Sequence, residues 1–310
     1  MDVLADILAV SGVRGTVGAR IEAGGSWGVR WAESADAVIY AVTGGAAWLE
    51  VAGRAPLHLL QGDVFLLPRG TAHALSSAPG AVIHTCDMSA AEAARQQGDV
   101  LRLGDADART RILGAAYRRD PAVSTQVLTL LPDIVHITAG DGDDDLGDTV
   151  NLLGKELSRP QLATAVILDR LTDVLLIQTL RVWLQSSPAE ADGCWLAALD
   201  DPVMSEALGR LHREPARQWT TDDLARELAV SRATLARRFQ KVIGQSPGAY
   251  LTQWRMDLAA RRLRDTDDTV DSIARAVGYT SVYAFSRAFH RARAEPPGRY
   301  RIAARATAVA

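Results

Sequence analysis

Cysteine is almost absent from this chain of 310 residues: Cys86 and Cys194 are the only two. Two thiols so far apart suggest neither a disulfide framework nor a four-cysteine metal site, and they fit a reducing, cytosolic home. Lysine is nearly as scarce, with Lys155 and Lys241 alone among 34 basic residues. The basic chemistry is therefore arginine chemistry, suited to bidentate contacts with phosphates or guanine edges, and equally a mark of a GC-rich genome. No window holds 18 continuous apolar residues, so nothing is expected to span a membrane. The opening MDVLADILAVSGVRG is short, acidic and amphipathic, a poor signal peptide. Long polar tracts are missing too, and 48% hydrophobic residues supply cores for two folded domains.

The net charge of -3 hides a split. Residues 1–200 carry 15 basic against 25 acidic residues, and residues 201–310 carry 19 against 12, giving -10 and +7. An acidic body is joined to a basic tail, and the tail's charge predicts salt-sensitive binding to a polyanion.

Residues 20–90 are short apolar runs broken by glycine, proline and serine, the pattern of an antiparallel all-β sandwich or barrel. Within LLQGDVFLLPRGTAHAL, Gly62 and Gly70 mark turns and Pro68 ends a strand before His73. The spacing Gly62, Pro68, Gly70, His73 resembles the second motif of the cupin β-barrel family. In cupin enzymes the histidine at the place of His73 is a metal ligand, joined by two histidines and a glutamate from elsewhere in the barrel. The His-X-His of the earlier motif is missing, since the equivalent strand Asp36–Tyr40 holds no histidine. A three-histidine site from His58, His73 and His84 is the remaining metal candidate. The alternatives for His73 are a turn histidine bonded to backbone and an effector contact. Cys86 reads as a buried hydrophobe or a redox-sensing thiol.

From Ala106 the pattern changes. DGDDDLG, between Gly140 and Gly147, lacks the glycine and glutamate of a calcium loop and reads as solvated loop. Residues 155–185 read as one long helix entered near Pro160, whose wide apolar surface either covers the barrel and meets a second copy or packs entirely within its own chain. SSPAEADG is the natural break before the second domain.

Residues 201–310 read as nearly continuous helices. After DPVMSEALGRLHREP, a helix capped by Thr220 or Thr221 buries Leu224, Ala225 and Leu228. A turn near Val230 then leads to a helix capped by Ser231 with Leu235 and Phe239 inward. This is a helix-turn-helix. Fifty residues on the pattern returns: Ile273, Ala274 and Val277, a turn at Gly278, the cap Ser281, and Phe285 and Phe289 inward. Between the repeats runs a long helix with Ser246 as N-cap and Pro247 at its first position. Such a rod can hold two recognition helices about one DNA turn, roughly 34 Å, apart.

LAVSRATLARRF, GQSPGAYLTQWRMDLAARRL, SIARAVGYTSVYAFSRAF and PPGRYR together resemble the AraC/XylS family of bacterial transcription regulators over residues 204–303. The resemblance implies a seven-helix DNA-binding domain with two helix-turn-helix units, in a regulator rather than an enzyme. Ala294, Glu295 and Pro296 replace the family's usual glycine and serine before the final proline. Carried over by position, the base-facing residues are Arg232, Ala233, Thr234, Ala236 and Arg237 in the first unit. In the second they are Val282, Tyr283, Ser286 and Arg287. Trp219, Arg238, Lys241, Arg255, Arg291 and Arg299 are candidates for the DNA backbone.

Many members carry an N-terminal cupin-like domain with a helical dimerisation region. An α+β two-domain chain is therefore expected: a cupin-like β-barrel sensor over 1–105, a helical linker and dimerisation region over 106–200, and the double helix-turn-helix domain over 201–310. Trp31, Tyr40, Trp48, Phe65, His73 and His84 are the candidates for an effector pocket. Double-stranded promoter DNA, a second copy of the chain, a small-molecule effector and RNA polymerase are the partners implied, with no cofactor. The competing functions are a cupin-type metalloenzyme fused to a DNA-binding tail and a ligand-independent DNA-binding protein whose barrel only dimerises.

Overall fold

A computed structural model of the protein describes residues 3–11, 13–85, 100–118, 128, 131–139, 144–159, 161–186 and 201–309. Cys86, Cys194 and the first part of the DGDDDLG run, to Asp143, lie outside the described residues. The chain divides into two compact units, one of Arg14–Arg119 with Leu131–Pro188, the other of Met1–Val13, Asp120–Leu130 and Ala189–Ala310.

The first unit is built on two sheets. Its strands are β1 (Arg14–Gly24), β2 (Gly28–Trp31), β3 (Ala37–Gly44), β4 (Ala46–Val51), β5 (Leu57–Leu60) and β6 (Val64–Leu67). The series continues with β7 (His73–Ser76), β8 (His84–Thr85), β9 (Val100–Gly104), β10 (Thr110–Arg118) and β11 (Val135–Ile137). They form a six-stranded sheet in the order β11-β6-β3-β10-β1-β9 and a five-stranded sheet in the order β5-β4-β7-β2-β8. Alternating residues of both sheets, among them Ile21, Tyr40, Val42 and Phe65 from one and Val29, Trp31, Leu49 and Leu75 from the other, form a single core. The turn at Gly70 has φ 62°, and a Cβ there would overlap the carbonyl oxygens of Ser34 and Asp36, so only glycine fits.

Three expectations are corrected here. The β structure does not end at residue 105, because β10 lies inside the six-stranded sheet between β1 and β3, and β11 extends it at β6. The helical region is two helices, α2 (Asp144–Ser158) and α3 (Thr164–Ser186), and Lys155 lies in the last turn of α2. The acidic run is also not all loop: from Asp144 it is helix, with Asp144, Asp145 and Asp148 in the opening turns, where the helix dipole favours negative charge. Helix α3 is fastened to β1 and β10, since the Gly15 amide donates to Asp173 Oδ1 (2.9 Å) and the Tyr117 hydroxyl donates to the Thr172 carbonyl (2.6 Å).

The second unit is helical: α1 (Val3–Ser11), α4 (Pro202–Arg213), α5 (Thr221–Glu227), α6 (Arg232–Val242), α7 (Pro247–Asp265), α8 (Val270–Ala276), α9 (Val282–Arg293) and α10 (Pro297–Val309). The seven helices α4–α10 are those expected. Helix α1 is the addition, packed on α4 and α7 through buried Val3, Leu4, Ile7 and Val10. Side chains of Asp201, Thr220, Ser231, Ser246, Thr269 and Ser281 cap the helices that follow them.

The apolar interior of this unit has two parts. Met256, Leu263, Ile273, Val277, Phe285, Phe289 and Tyr300 form the core of the second repeat. Under the first lie Leu208, Leu211, Leu224, Leu235, Phe239, Tyr250 and Trp254, all buried. His212 sits among them with no side-chain exposure, stacked on Trp254 with ring centroids 3.8 Å apart. Its Nδ1 donates to Asp6 of α1 (3.3 Å) and its Nε2 accepts from the Tyr250 hydroxyl (2.7 Å). Burial lowers its pKa to about 4 against the opposing pull of Asp6, so the ring is neutral at pH 7.

Candidate nucleic-acid interface

The two repeats close the first helix of each unit with the same pair of backbone bonds. In the first, the Ala229 and Val230 amides donate to the Arg226 and Ala225 carbonyls; in the second, Gly278 and Tyr279 donate to Arg275 and Ala274. Ala229 and Gly278 both take positive φ, 53° and 87°. The second turn is then one residue longer, Thr280, before its cap Ser281. In each unit the second helix turns two aromatic or aliphatic residues inward, Leu235 and Phe239 in α6 and Phe285 and Phe289 in α9, all fully buried.

That packing turns the opposite faces outward. On α6, Arg232, Ala233 and Arg237 are exposed, and Thr234 and Ala236 are half-buried beside them. On α9, Val282, Tyr283 and Arg287 are exposed and Ser286 is half-buried. Tyr283 is 71% exposed, unusual for a tyrosine that serves packing. The two rows differ in how their arginines are held. Arg232 donates to Asp222 at the start of α5 (3.0 Å), whereas the Arg287 guanidinium lies 5.8 Å from the centre of the Tyr283 ring.

The candidate backbone contacts divide. Lys241, Arg291 and Arg299 are exposed. Arg238 is half-buried and pairs with Asp201, the cap of α4 (3.0 Å). Trp219 donates its Nε1 to the Glu214 carbonyl (3.2 Å) and carries the Arg217 guanidinium 3.7 Å above its ring. Arg255 is placed differently from the expectation of a solvent-facing cation. It is buried, donating from Nε to the Pro215 carbonyl (2.7 Å) and from Nη2 to the Arg217 carbonyl (2.8 Å).

In the β unit, four of the six candidate pocket residues come together. Trp31 stacks on His73 (centroids 5.2 Å apart), Tyr40 stacks on Phe65 (4.9 Å), and Tyr40 meets the His73 ring edge-on (5.4 Å), joining the two sheets. His73 Nδ1 faces the Thr71 carbonyl (2.8 Å) and must donate to it, which leaves Nε2 to accept from the Tyr40 hydroxyl (3.0 Å). Both ring nitrogens are thus engaged, and burial lowers the pKa despite the bond to Thr71.

The other two candidates lie elsewhere. Trp48 alternates with the core residues Ala47 and Leu49, so it faces away from the core and stacks on the exposed His58 (4.5 Å). His84 is exposed on the edge strand β8. The three histidines of the metal candidate therefore do not converge, and among the described residues no group of three His, Cys, Asp or Glu side chains is placed to hold a metal.

Comparison with known proteins decides the identity. The family model described as "Cupin" matches residues 2–185, and one described as "Helix-turn-helix domain" matches residues 224–303. An AraC-like transcription regulator from Streptomyces lividans is 39% identical, covering 97% of this chain and 98% of the relative. The chain belongs to the AraC family of transcription regulators. A second AraC-like regulator, from Streptomyces antibioticus, is 36% identical over 97% of this chain and 98% of its own length. Among solved structures, the DNA-binding domain of AdpA in complex with a target DNA is 31% identical, covering 34% of this chain and 95% of that one with a TM-score of 0.33. This AraC-family regulator binds DNA through its helix-turn-helix domain. Among its described residues no helix is long and apolar enough to cross a membrane.

Proposed function

We propose that this regulator reads a specific promoter sequence with two helices, α6 and α9, under the control of a small molecule bound by its β unit in the cytoplasm. The observation that carries the reading is the outward row Val282, Tyr283, Arg287 on α9 over a fully buried Phe285 and Phe289. Arg287 has the fork to bond a guanine edge, and Val282 and Tyr283 offer apolar contact to a thymine methyl. On α6 the equivalent row is Arg232, Ala233, Thr234, Ala236 and Arg237. Lys241, Arg291 and Arg299 hold the phosphates. Trp219, Arg238 and Arg255 act by supporting the readers from behind.

The β unit works by binding rather than by catalysis. In support, His73 has both nitrogens engaged by Thr71 and Tyr40, which leaves no lone pair for a metal. The aromatic cluster of Trp31, Tyr40, Phe65 and His73 suits a flat, apolar effector, which acts by favouring one arrangement of the chain over another. Two copies join through α3, where Val166, Ile167 and Val174 form an exposed apolar stripe. RNA polymerase is the partner through which bound regulator changes transcription.

Selection of bound duplexes from a random pool, with full-length protein at stated near-physiological salt, tests the reading. The expected result is a motif with two boxes about one DNA turn apart. Enrichment of nothing by the full chain or by its helical unit would overturn it.

A further inference from the structure

The two repeats have separate apolar interiors at opposite ends of α7, and among the described residues neither α5 nor α6 packs extensively on α8 or α9. A shared helix fixes the distance between its ends, but one connection leaves the angle between two bodies soft, because long helices bend at small cost. A second connection, away from the rod, is needed to set that angle.

The segment between α4 and α5, residues 214–220, supplies one. At one end it is tied to the first repeat, where Thr220 caps α5 and Arg217 pairs with Glu227 at the end of α5. Its middle is held by α7, through the two bonds from the buried Arg255 to the Pro215 and Arg217 carbonyls. Between those ties, Ala216 and Gln218 meet the turn of the second repeat. Gln218 donates its amide to the Gly278 carbonyl (2.7 Å), and the backbone of Ala216 lies so close to Gly278 that a Cβ there would be 2.7 Å from the Ala216 oxygen. Arg255 also faces the Tyr279 ring, 5.9 Å from its centre. Rod and brace thus make a closed loop: α7, Arg255, residues 215–218, Gly278 and back to α7.

We propose that residues 215–218 with Arg255 and Gly278 are the positioning element that sets the angle between the two recognition helices, and so the spacing of the two DNA boxes the protein accepts. None of these residues needs to touch DNA. The inference rests on the two-helix reading above and adds the source of its geometric tolerance. Changing the separation by one base pair shifts a box by about 3.4 Å and turns it by roughly a tenth of a turn. A rigid pair of readers rejects that, whereas a hinged pair follows it.

The test uses the full-length protein and a duplex series built on the selected motif, with the interval between boxes altered by -2 to +2 base pairs. For the wild type, affinity falls about 30-fold for one base pair either way. Gln218→Ala, which removes the exposed side-chain bonds to the Gly278 and Ala216 carbonyls and leaves every core residue in place, and Gly278→Ala, which forces the segments apart, flatten the profile. Their ratio between optimal and altered spacing drops below about 5-fold for Gly278→Ala and to an intermediate value for Gln218→Ala. Equal weakening at every spacing, with the wild-type ratio kept by both variants, overturns the brace while the two-box reading stands. A wild-type motif with one box overturns both. Circular dichroism of each variant checks the fold, and Gln218→Ala decides the matter if Gly278→Ala is unfolded.

Discussion

The two helix-turn-helix units share a turn, a cap and a pair of inward residues, yet one turn is made by Ala229 and the other by Gly278. Both residues sit in the left-handed region. The difference lies in the neighbours: Ala229 is exposed, so a methyl group costs only backbone strain, while Gly278 has the Ala216 backbone against it. Duplicate units that fold alike are thus constrained differently, because it is the turn of the second that lies against residues 216–218. Their interiors differ in the same spirit. The first is closed by α1 over a neutral His212, and the second holds the buried pair Asp257–Arg293, with neither side chain exposed.

Breaking each interior separately sharpens that contrast. The largest effect is expected from Asp257→Ala, which leaves the Arg293 charge buried; it destabilises the helical unit by about 3–5 kcal/mol. Hydrogen exchange is expected to report the loss in α8 and α9 before α5 and α6.

Acid is expected to act on the other repeat. The pKa of His212 is about 4 in the folded protein and about 6.5 unfolded. The stability that comes from keeping this ring neutral is complete above pH 6.5 and is lost as the pH falls toward 4, because the unfolded chain takes the proton first. The full loss is about 3 kcal/mol. Denaturant melts between pH 7 and 4 are expected to show it, and His212→Gln to remove that part of the slope.

A smaller contrast is expected on DNA. Arg287→Ala weakens binding by about 1–3 kcal/mol and relaxes one base position in a repeat selection. Arg232→Ala costs less, by up to about 1 kcal/mol, because wild-type binding must first part the exposed Arg232–Asp222 pair. A uniform loss on all duplexes would mark either arginine as a phosphate contact. The smallest effect is a gain. Ala229→Gly, and Ala294→Gly at the αL end of α9 (φ 58°), each raise stability by about 0.5–1 kcal/mol, measured by thermal melting.

Much of this architecture was legible in the sequence. Caps, inward residues and turns of the helical unit are local features, and Ser231, Ser246 and Ser281 cap where expected. The core turn of the β unit was equally legible in Gly62, Pro68 and Gly70. What escaped was long-range. The alternation in β4 was available to place Trp48 on the outer face with His58, but reading which face is inward needs the partner strand. Helix α1 shows its apolar spacing at Val3, Ile7 and Val10, yet nothing local says that its partner lies beyond residue 201. Arg255 looked like one more basic residue on a DNA-binding helix. Its partners are backbone carbonyls, and a carbonyl leaves no trace in a residue pattern.

The assignment of α1 to the helical unit bears on how the chain is made. About 190 residues separate Ser11 from Pro202, and at a synthesis rate of about 5–20 residues per second the ribosome needs roughly 10–40 s to supply them. Through that interval Val3, Leu4, Ile7 and Val10 have no α4 or α7 to cover them, while the β unit that follows them emerges first. Nine residues are too few to hold a helix alone in water, so Val3–Ser11 gains its helix, as well as its partners, only once the last third of the sequence has been translated.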